Sequence, residues 1–123
     1  MHSVLIVDDH PIVRTAIRAA LRHYSEFSVC GEAVDGVDAI EKAIALHPDL
    51  ILLDCSMPRM NGAEAAAILR TWLPSARIIA FTLYADAMKT LLTHTPGIDA
   101  VLLKSNGIGK VIECFQKLLG KSE

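Results

Sequence analysis

The sequence predicts a single α/β domain in which helices cover both faces of a parallel sheet. Three observations lead to this fold class. Short apolar runs alternate five times with segments that repeat apolar residues at helical spacing. The runs VLIV, LILL and VLL are almost continuously apolar, as in strands that are buried on both faces. No linker, repeat or low-complexity stretch interrupts the 123 residues, a length that suits one domain.

Each predicted strand is a short apolar run that is too brief for a typical helix. In an open parallel sheet all strands end at the same edge, so the residues that follow these runs should gather there. The five predicted strands are Ser3–Val7, Phe27–Glu32, Leu50–Asp54, Arg77–Thr82 and Ala100–Lys104.

Five helices are predicted between and after these strands, so that the pattern is (βα)5. The first runs from Pro11 to Ser25, and Pro11 suits its first turn because an N–H there would have no helical partner. The second follows Gly36 and ends near His47, where Pro48 discourages further helix. The third, fourth and fifth helices cover Asn61–Trp72, Met88–Leu92 and Ile108–Leu119.

Composition excludes several classes of partner. A net charge of -2 offers no basic surface for nucleic acid or an anionic membrane, and no apolar run approaches the roughly 20 residues of a membrane span. The first residues lack the pattern of a secretory signal, so the cytoplasm is the expected compartment. Cys30, Cys55 and Cys114 are odd in number and widely spaced, which predicts free thiols and no zinc site.

Polar residues stand at the ends of four predicted strands. Asp8 and Asp9 follow the first strand, Asp54 ends the third, Thr82 ends the fourth and Lys104 ends the fifth. An aspartate can act as a nucleophile and hold a phosphoryl group as an acyl phosphate. Carboxylates gathered at one sheet edge repel one another, however, so such a site needs a hard divalent cation, and Mg²⁺ fits best.

Each of these residues also has a purely structural interpretation. Asp8 and Asp9 could match the dipole of the first helix, and Asp54 could form a turn. Thr82 could be an ordinary strand residue, and Lys104 a solvated rim charge. The coincidence of all of them at strand ends favours a functional cluster.

Four segments in this order and at these separations resemble the receiver domain of bacterial two-component response regulators: VLIVDDHP, PDLILLDCSMPRMNG, IIAFTLY and AVLLKS. The resemblance covers essentially the whole chain. The segment GEAVDGVDAIE and the Lys-Ser step are most similar to receivers that precede a helix-turn-helix output domain in DNA-binding regulators. The resemblance implies a flavodoxin-like sheet with strand order 2-1-3-4-5. It also implies a phosphorylation-driven change of conformation that controls an output, namely transcription.

The resemblance assigns a role to each strand-end residue. A histidine kinase or phosphotransfer protein would supply the phosphoryl group, and the only expected chemistry is phosphorylation and autodephosphorylation of Asp54. Asp8 would act on the metal partly through water. The implied phosphoryl-transfer residues are Asp54, Thr82 and Lys104, and the implied Mg²⁺ site comprises Asp8, Asp9, Asp54 and the backbone carbonyl of Cys55.

Two positions depart from the usual receiver pattern. Val101 stands three residues before the lysine, where receivers carry Tyr or Phe, and Leu83 follows the threonine, where a small residue is usual. We therefore expect the signal to leave the site through Thr82–Ala85 and the fourth helix rather than through a ring. A homodimer is expected through the fourth helix, last strand and fifth helix. His10 is expected at the start of the first helix rather than as a ligand.

Two other functions remain open at this point. One is an Mg²⁺-dependent phosphotransferase or phosphatase that uses Asp54 as its nucleophile, although no long insertion is available to form a substrate pocket. The other is a receiver-like interaction domain that works without phosphorylation. Metal binding, labelling by a small phosphodonor and turnover of small phosphoesters distinguish these functions from a phosphoacceptor.

Overall fold

Five parallel strands form the central sheet. The structure is a computed structural model that describes residues 1–55, 62–82 and 96–120. The strand order 2-1-3-4-5 is the predicted one, and every neighbouring pair is parallel. The strands are β1 (His2–Val7), β2 (Phe27–Ala33), β3 (Leu50–Asp54), β4 (Arg77–Thr82) and β5 (Ala100–Leu103).

Four helices lie in the described segments, and none of them is long and apolar enough to span a bilayer. The predicted start of the third helix at Asn61 and the predicted fourth helix over Met88–Leu92 lie outside the described residues. The fifth predicted helix is therefore α4 below. The helices are α1 (Pro11–Leu21), α2 (Gly36–Leu46), α3 (Gly62–Trp72) and α4 (Ile108–Gly120).

The prediction that the first helix reaches Ser25 is wrong, because α1 ends at Leu21. The Tyr24 N–H donates to the Leu21 carbonyl at 3.0 Å and the Phe27 N–H donates to the Tyr24 carbonyl at 3.1 Å. These bonds span three residues rather than four, so they turn the chain out of the helix and into β2. The Tyr24 side chain still packs against the core, which is why its spacing resembled a helical position.

The last predicted strand also ends one residue early. Lys104 is not in β5 but begins a 3-10 turn over Lys104–Asn106. The turn closes with the Gly107 N–H donating to the Lys104 carbonyl at 3.2 Å. Gly107 has a φ of 82°, a left-handed conformation that glycine adopts without strain. This turn bends the chain directly after the strand and leads it into α4.

Two apolar layers cover the two faces of the sheet. Alternate residues of β1 point to opposite faces: Leu5 and Val7 pack with α2 and α3, whereas Val4 and Ile6 pack with α1 and α4. Burial of one large apolar side chain contributes about 1.5–3 kcal/mol, so these layers supply most of the stabilisation. The runs VLIV of β1 and LILL of β3 confirm the prediction of strands that are buried on both faces. For the run VLL the prediction is wrong, because β5 lies at the edge of the sheet and its residues are only partly buried.

The register of the sheet brings the strand ends level with one another. Val7 of β1 pairs with Leu53 of β3, so the residues that follow them, Asp8 and Asp54, are neighbours. Thr82 of β4 pairs with Leu103 of β5, which places Thr82 beside the residue that precedes Lys104. The carboxyl edge of the sheet therefore collects the polar residues that the sequence placed at separate strand ends.

Candidate functional site

The carboxylates of Asp8, Asp9 and Asp54 lie together at the carboxyl edge of the sheet. One ligand atom from each of them, and one from His10, lie within 4.8 Å of one another. Asp8 and Asp54 are buried, and Asp9 is partly exposed. Like charges at this separation repel one another, and more strongly in a partly dry site than in water. The cluster therefore needs positive charge to be stable.

Lys104 supplies part of this positive charge. Its Nζ lies 2.8 Å from Asp8 Oδ2 and 3.3 Å from Asp54 Oδ2, and its side chain is only 9% exposed. Burial acts to lower the pKa of Lys104, but the hydrogen bond to Asp8 and the charge of Asp54 outweigh it and raise the pKa above its ordinary value. Lys104 begins the 3-10 turn after β5, and its ammonium lies beside the two carboxylates.

His10 contributes a contact that the sequence did not predict. It immediately precedes α1, as expected, and its backbone N–H donates to Asp8 Oδ1 at 2.9 Å. Its ring Nδ1 also lies 3.0 Å from Asp8 Oδ1 and 3.1 Å from Asp9 Oδ1. The position of His10 next to Asp8 and Asp9 in the sequence was the only signal for this contact. The residue types do not specify the local turn that brings the His10 ring back to the carboxylates.

Thr82 and Cys55 flank the carboxylates. Thr82 is fully buried as the last residue of β4, and Cys55 is buried directly after Asp54. Burial, reinforced by the charge of Asp54, raises the pKa of the Cys55 thiol to about 12. The thiol therefore stays protonated at neutral pH in the metal-free protein. Because sulfur is a soft ligand and Mg²⁺ prefers oxygen, the backbone carbonyl is the group that this residue could offer to the metal.

The two positions that depart from the usual receiver pattern are Val101 and Leu83, and only Val101 lies in the described part of the chain. Val101 packs against the small buried cluster of Cys55 and Ala80, and so against the residue that follows Asp54. Leu83, Tyr84 and Ala85 lie outside the described residues.

The donor set fits a hard divalent cation. Carboxylate oxygens are the ligands that Mg²⁺ prefers. Asp9 Oδ1 is buried and accepts no hydrogen bond from the described part of the chain. His10 Nδ1 lies within reach of this oxygen but lies slightly closer to Asp8 Oδ1, and one ring N–H can serve only one of them well. A buried carboxylate oxygen that accepts no hydrogen bond destabilises the folded protein, and a bound cation would give this oxygen a partner.

Comparison with known proteins identifies the family. Residues 4–116 match the model of the response regulator receiver domain. The chain belongs to this family. Receiver domains are the signal-accepting modules of two-component systems, so the chain is a signal-transduction domain.

Two relatives of this receiver are longer response regulator proteins. The chain is 38% identical over 114 residues to the response regulator protein VraR of Staphylococcus saprophyticus, and the match covers 93% of the chain and 54% of VraR. It is 39% identical over 102 residues to the nitrate/nitrite response regulator protein NarL of Escherichia coli (strain K12), covering 83% of the chain and 47% of NarL. The chain thus spans about half the length of the curated relatives it matches.

Solved structures are similar to this receiver over nearly its whole length. A two-component response regulator of the LuxR family from Aurantimonas sp. SI85-9A1 superposes with a TM-score of 0.90 at 27% identity, covering 98% of this chain and 86% of the other. The isolated receiver domain of RcsB from Salmonella enterica serovar Typhimurium, solved in the presence of phosphomimetic BeF3-, gives a TM-score of 0.84 at 28% identity, covering 94% and 88%.

Proposed function

We propose that this receiver accepts a phosphoryl group on Asp54 and holds Mg²⁺ on Asp8, Asp9, Asp54 and the backbone carbonyl of Cys55. One observation carries the proposal. The carboxylates of the three aspartates converge within 4.8 Å, and the Lys104 ammonium lies 2.8 Å and 3.3 Å from two of them. A cation site and a phosphate-binding ammonium beside one buried carboxylate are the elements that phosphoryl transfer to an aspartate requires.

The residues of the site perform distinct parts of the transfer. A carboxylate oxygen of Asp54 attacks the phosphorus, an acyl phosphate bond forms, and the bond from phosphorus to the donor breaks. Bound Mg²⁺ supplies charge neutralisation for the carboxylates and the phosphoryl oxygens. Lys104 already lies 3.3 Å from the attacking carboxylate and can contact a phosphoryl oxygen with a small movement. The Thr82 hydroxyl would donate to the phosphoryl group only after transfer.

The family and the length of its members support the proposed partners. The phosphodonor is a histidine kinase or phosphotransfer protein, and the compartment is the cytoplasm. Because the chain covers about half of VraR and NarL, we propose that it controls transcription through a separate DNA-binding region and contacts no nucleic acid itself. Homodimerisation through the last strand, α4 and the predicted helix over Met88–Leu92 belongs to the same proposal, as does signal exit through Thr82–Ala85.

Labelling by a small phosphodonor tests the role of Asp54. Acetyl phosphate with Mg²⁺ should add one phosphoryl group that hydroxylamine removes, and Asp54→Asn should abolish the labelling. Asp49→Asn is the matched control, because Asp49 bonds Ser3 at 2.8 Å at the opposite edge of the sheet and should label normally. Equal labelling of Asp54→Asn and the unaltered protein would contradict the assignment. Catalytic turnover of small phosphoesters would favour the enzyme alternative.

A further inference from the structure

The guanidinium of Arg14 joins the main chain of Asp8 to strand β2. Its Nη1 donates to the Asp8 carbonyl at 2.7 Å, and its Nε donates to Glu32 Oε1 at 2.9 Å. The side chain is 15% exposed, so both bonds lie largely out of water. A charge-assisted hydrogen bond of this length is stronger than an ordinary one. Arg14 therefore fixes the position of the Asp8 main chain relative to β2.

Glu32 anchors this arginine. Its second oxygen, Oε2, accepts from Arg18 Nε at 2.7 Å, and its own backbone carbonyl accepts from Lys42 of α2. Burial acts to raise the pKa of Glu32, but the hydrogen bonds from Arg18 and Arg14 outweigh it and lower the pKa below its ordinary value. The carboxylate is therefore ionised at neutral pH and fixes Arg14 in place.

The Asp8 carbonyl matters because it belongs to the peptide that leads into Asp9. The carbonyl of Asp8 and the N–H of Asp9 share one planar group, so holding the oxygen sets the direction in which the chain enters Asp9. The preceding peptide is also held, because the Asp8 N–H donates to the Ala33 carbonyl at 3.0 Å. Both peptide planes around Asp8 are thus fixed, one by the sheet and one by Arg14.

We propose that Arg14 is a positioning residue for the metal and phosphoryl-transfer site. It sets the Asp8–Asp9 peptide so that both carboxylates face Asp54, and it places a positive charge beside the acidic pair. The proposal rests on the function proposed above. Groups that orient metal ligands from behind typically contribute a factor of about 10–100 to metal affinity.

Arg18 provides a matched comparison. It bonds the same Glu32 carboxylate, but no contact joins it to Asp8 among the described residues. Arg14→Met and Arg18→Met each remove the contact of one arginine with Glu32, and only Arg14→Met also removes the bond to Asp8. We expect Arg14→Met to weaken Mg²⁺ binding, measured by titration calorimetry, by about tenfold or more. Arg18→Met should leave the Mg²⁺ affinity close to that of the unaltered protein.

Phosphoryl labelling gives a readout that a merely structural role would not move. Labelling of Arg14→Met by acetyl phosphate should need a higher Mg²⁺ concentration and approach the unaltered rate when Mg²⁺ saturates. The urea-unfolding free energies of the two variants are measured alongside, so that lost affinity is separated from lost stability. Equal Mg²⁺ affinity in the two folded variants would overturn the proposal.

A second pair of variants covers the case in which Arg14→Met does not fold. Arg14→Lys and Arg18→Lys keep the charge but cannot reproduce the two-pronged geometry of a guanidinium. Weaker Mg²⁺ binding in Arg14→Lys alone would support the positioning role, and equal affinities would overturn it. If the unaltered protein neither binds Mg²⁺ nor labels, the proposed function fails together with this inference. If it does both while the Arg14 variants match the Arg18 variants, only the inference fails.

Discussion

The charge balance of the acidic site depends on Lys104. Its ammonium lies in a nearly buried position, 2.8 Å from the Asp8 carboxylate and 3.3 Å from the Asp54 carboxylate. Removing one member of a buried group of charges destabilises a protein more than removing one member of a surface ion pair. The reason is that the remaining buried charges are no longer compensated.

Replacing Lys104 by methionine should therefore destabilise the metal-free protein. We expect Lys104→Met to lower the free energy of unfolding by about 1–3 kcal/mol in buffer containing a chelator. Added Mg²⁺ should restore more stability to the variant than to the unaltered protein, because it replaces the lost charge. Lys110→Met is the control, since Lys110 is exposed and lies 3.8 Å from Glu113 in a surface pair worth little. Equal effects of the two substitutions in urea unfolding would contradict the role of Lys104.

The thiol of Cys55 should be nearly inert in the folded protein. Burial and the charge of Asp54 raise its pKa to about 12, so only about one thiol in ten thousand is ionised at pH 8. Cys30 and Cys114 are also free thiols, but they are only half-buried. Alkylation by iodoacetamide, followed by peptide mass spectrometry, should therefore modify Cys55 last in the folded protein and all three at similar rates in urea. Early modification of Cys55 would show that its surroundings open readily.

At the scale of elements, one residue, Glu32, links three segments of the fold. Glu32 of β2 receives Arg14 and Arg18 from successive turns of α1, and the backbone carbonyl of Glu32 receives Lys42 from α2. The two arginines lie four residues apart, so they occupy the same face of the helix. This arrangement fastens α1 to the edge strand beside the acidic site.

The contribution of Glu32 to stability should depend on pH. Its pKa is lower in the folded than in the unfolded protein, so its contribution is present above the unfolded pKa of about 4.3 and is lost as the pH falls through the folded pKa. Glu32→Gln should cost about 1 kcal/mol at pH 7, because the pair is partly exposed, and less at pH 3. Urea unfolding at both pH values tests this, with the exposed Glu41→Gln as the control for net charge. A cost that does not change with pH would contradict it.

At the scale of the whole molecule, stability and function occupy different parts of the sheet. The four helices of the described segments cover the apolar layers on both faces, whereas the charged residues gather at the carboxyl edge. Burial on both faces stabilises the fold strongly enough to tolerate carboxylates that repel one another at that edge. The acidic edge should accordingly link metal binding to the stability of the entire domain.

Removing one metal ligand should expose this linkage. Asp9→Ala should raise the stability of the metal-free protein by relieving carboxylate repulsion, and it should abolish stabilisation by Mg²⁺. At an Mg²⁺ concentration of about 100 times the dissociation constant, the unaltered protein should gain about 2.7 kcal/mol. Thermal unfolding with Mg²⁺ or chelator measures both effects, and Asp49→Asn should keep the Mg²⁺ gain. A gain retained by Asp9→Ala would remove Asp9 from the metal site.

The sequence by itself determined the strands and the residues at the carboxyl edge, and the order of the strands was predicted through the resemblance to receiver domains. Strand bounds follow from apolar runs, which are local: β3 and β4 coincide with the prediction, and β1 and β2 differ from it by one residue at one end. Asp8, Asp54 and Lys104 could be placed together because residues at the ends of parallel strands share one edge whatever the details of packing. The end of α1 was not predictable in this way, because Tyr24 packs like a helical residue from within a turn.

Only the tertiary structure decided how the edge is held and which charges meet there. The contact between Lys104 and Asp8 joins residues 96 positions apart, and its distance depends on sheet register and on the turn after β5. The bond from Arg14 to the Asp8 carbonyl depends on how α1 docks against β2, which no local pattern encodes. The raised pKa of Cys55 likewise comes from burial beside Asp54. Sequence patterns specify which residues reach an edge, whereas packing specifies the distances and desolvation that determine their chemistry.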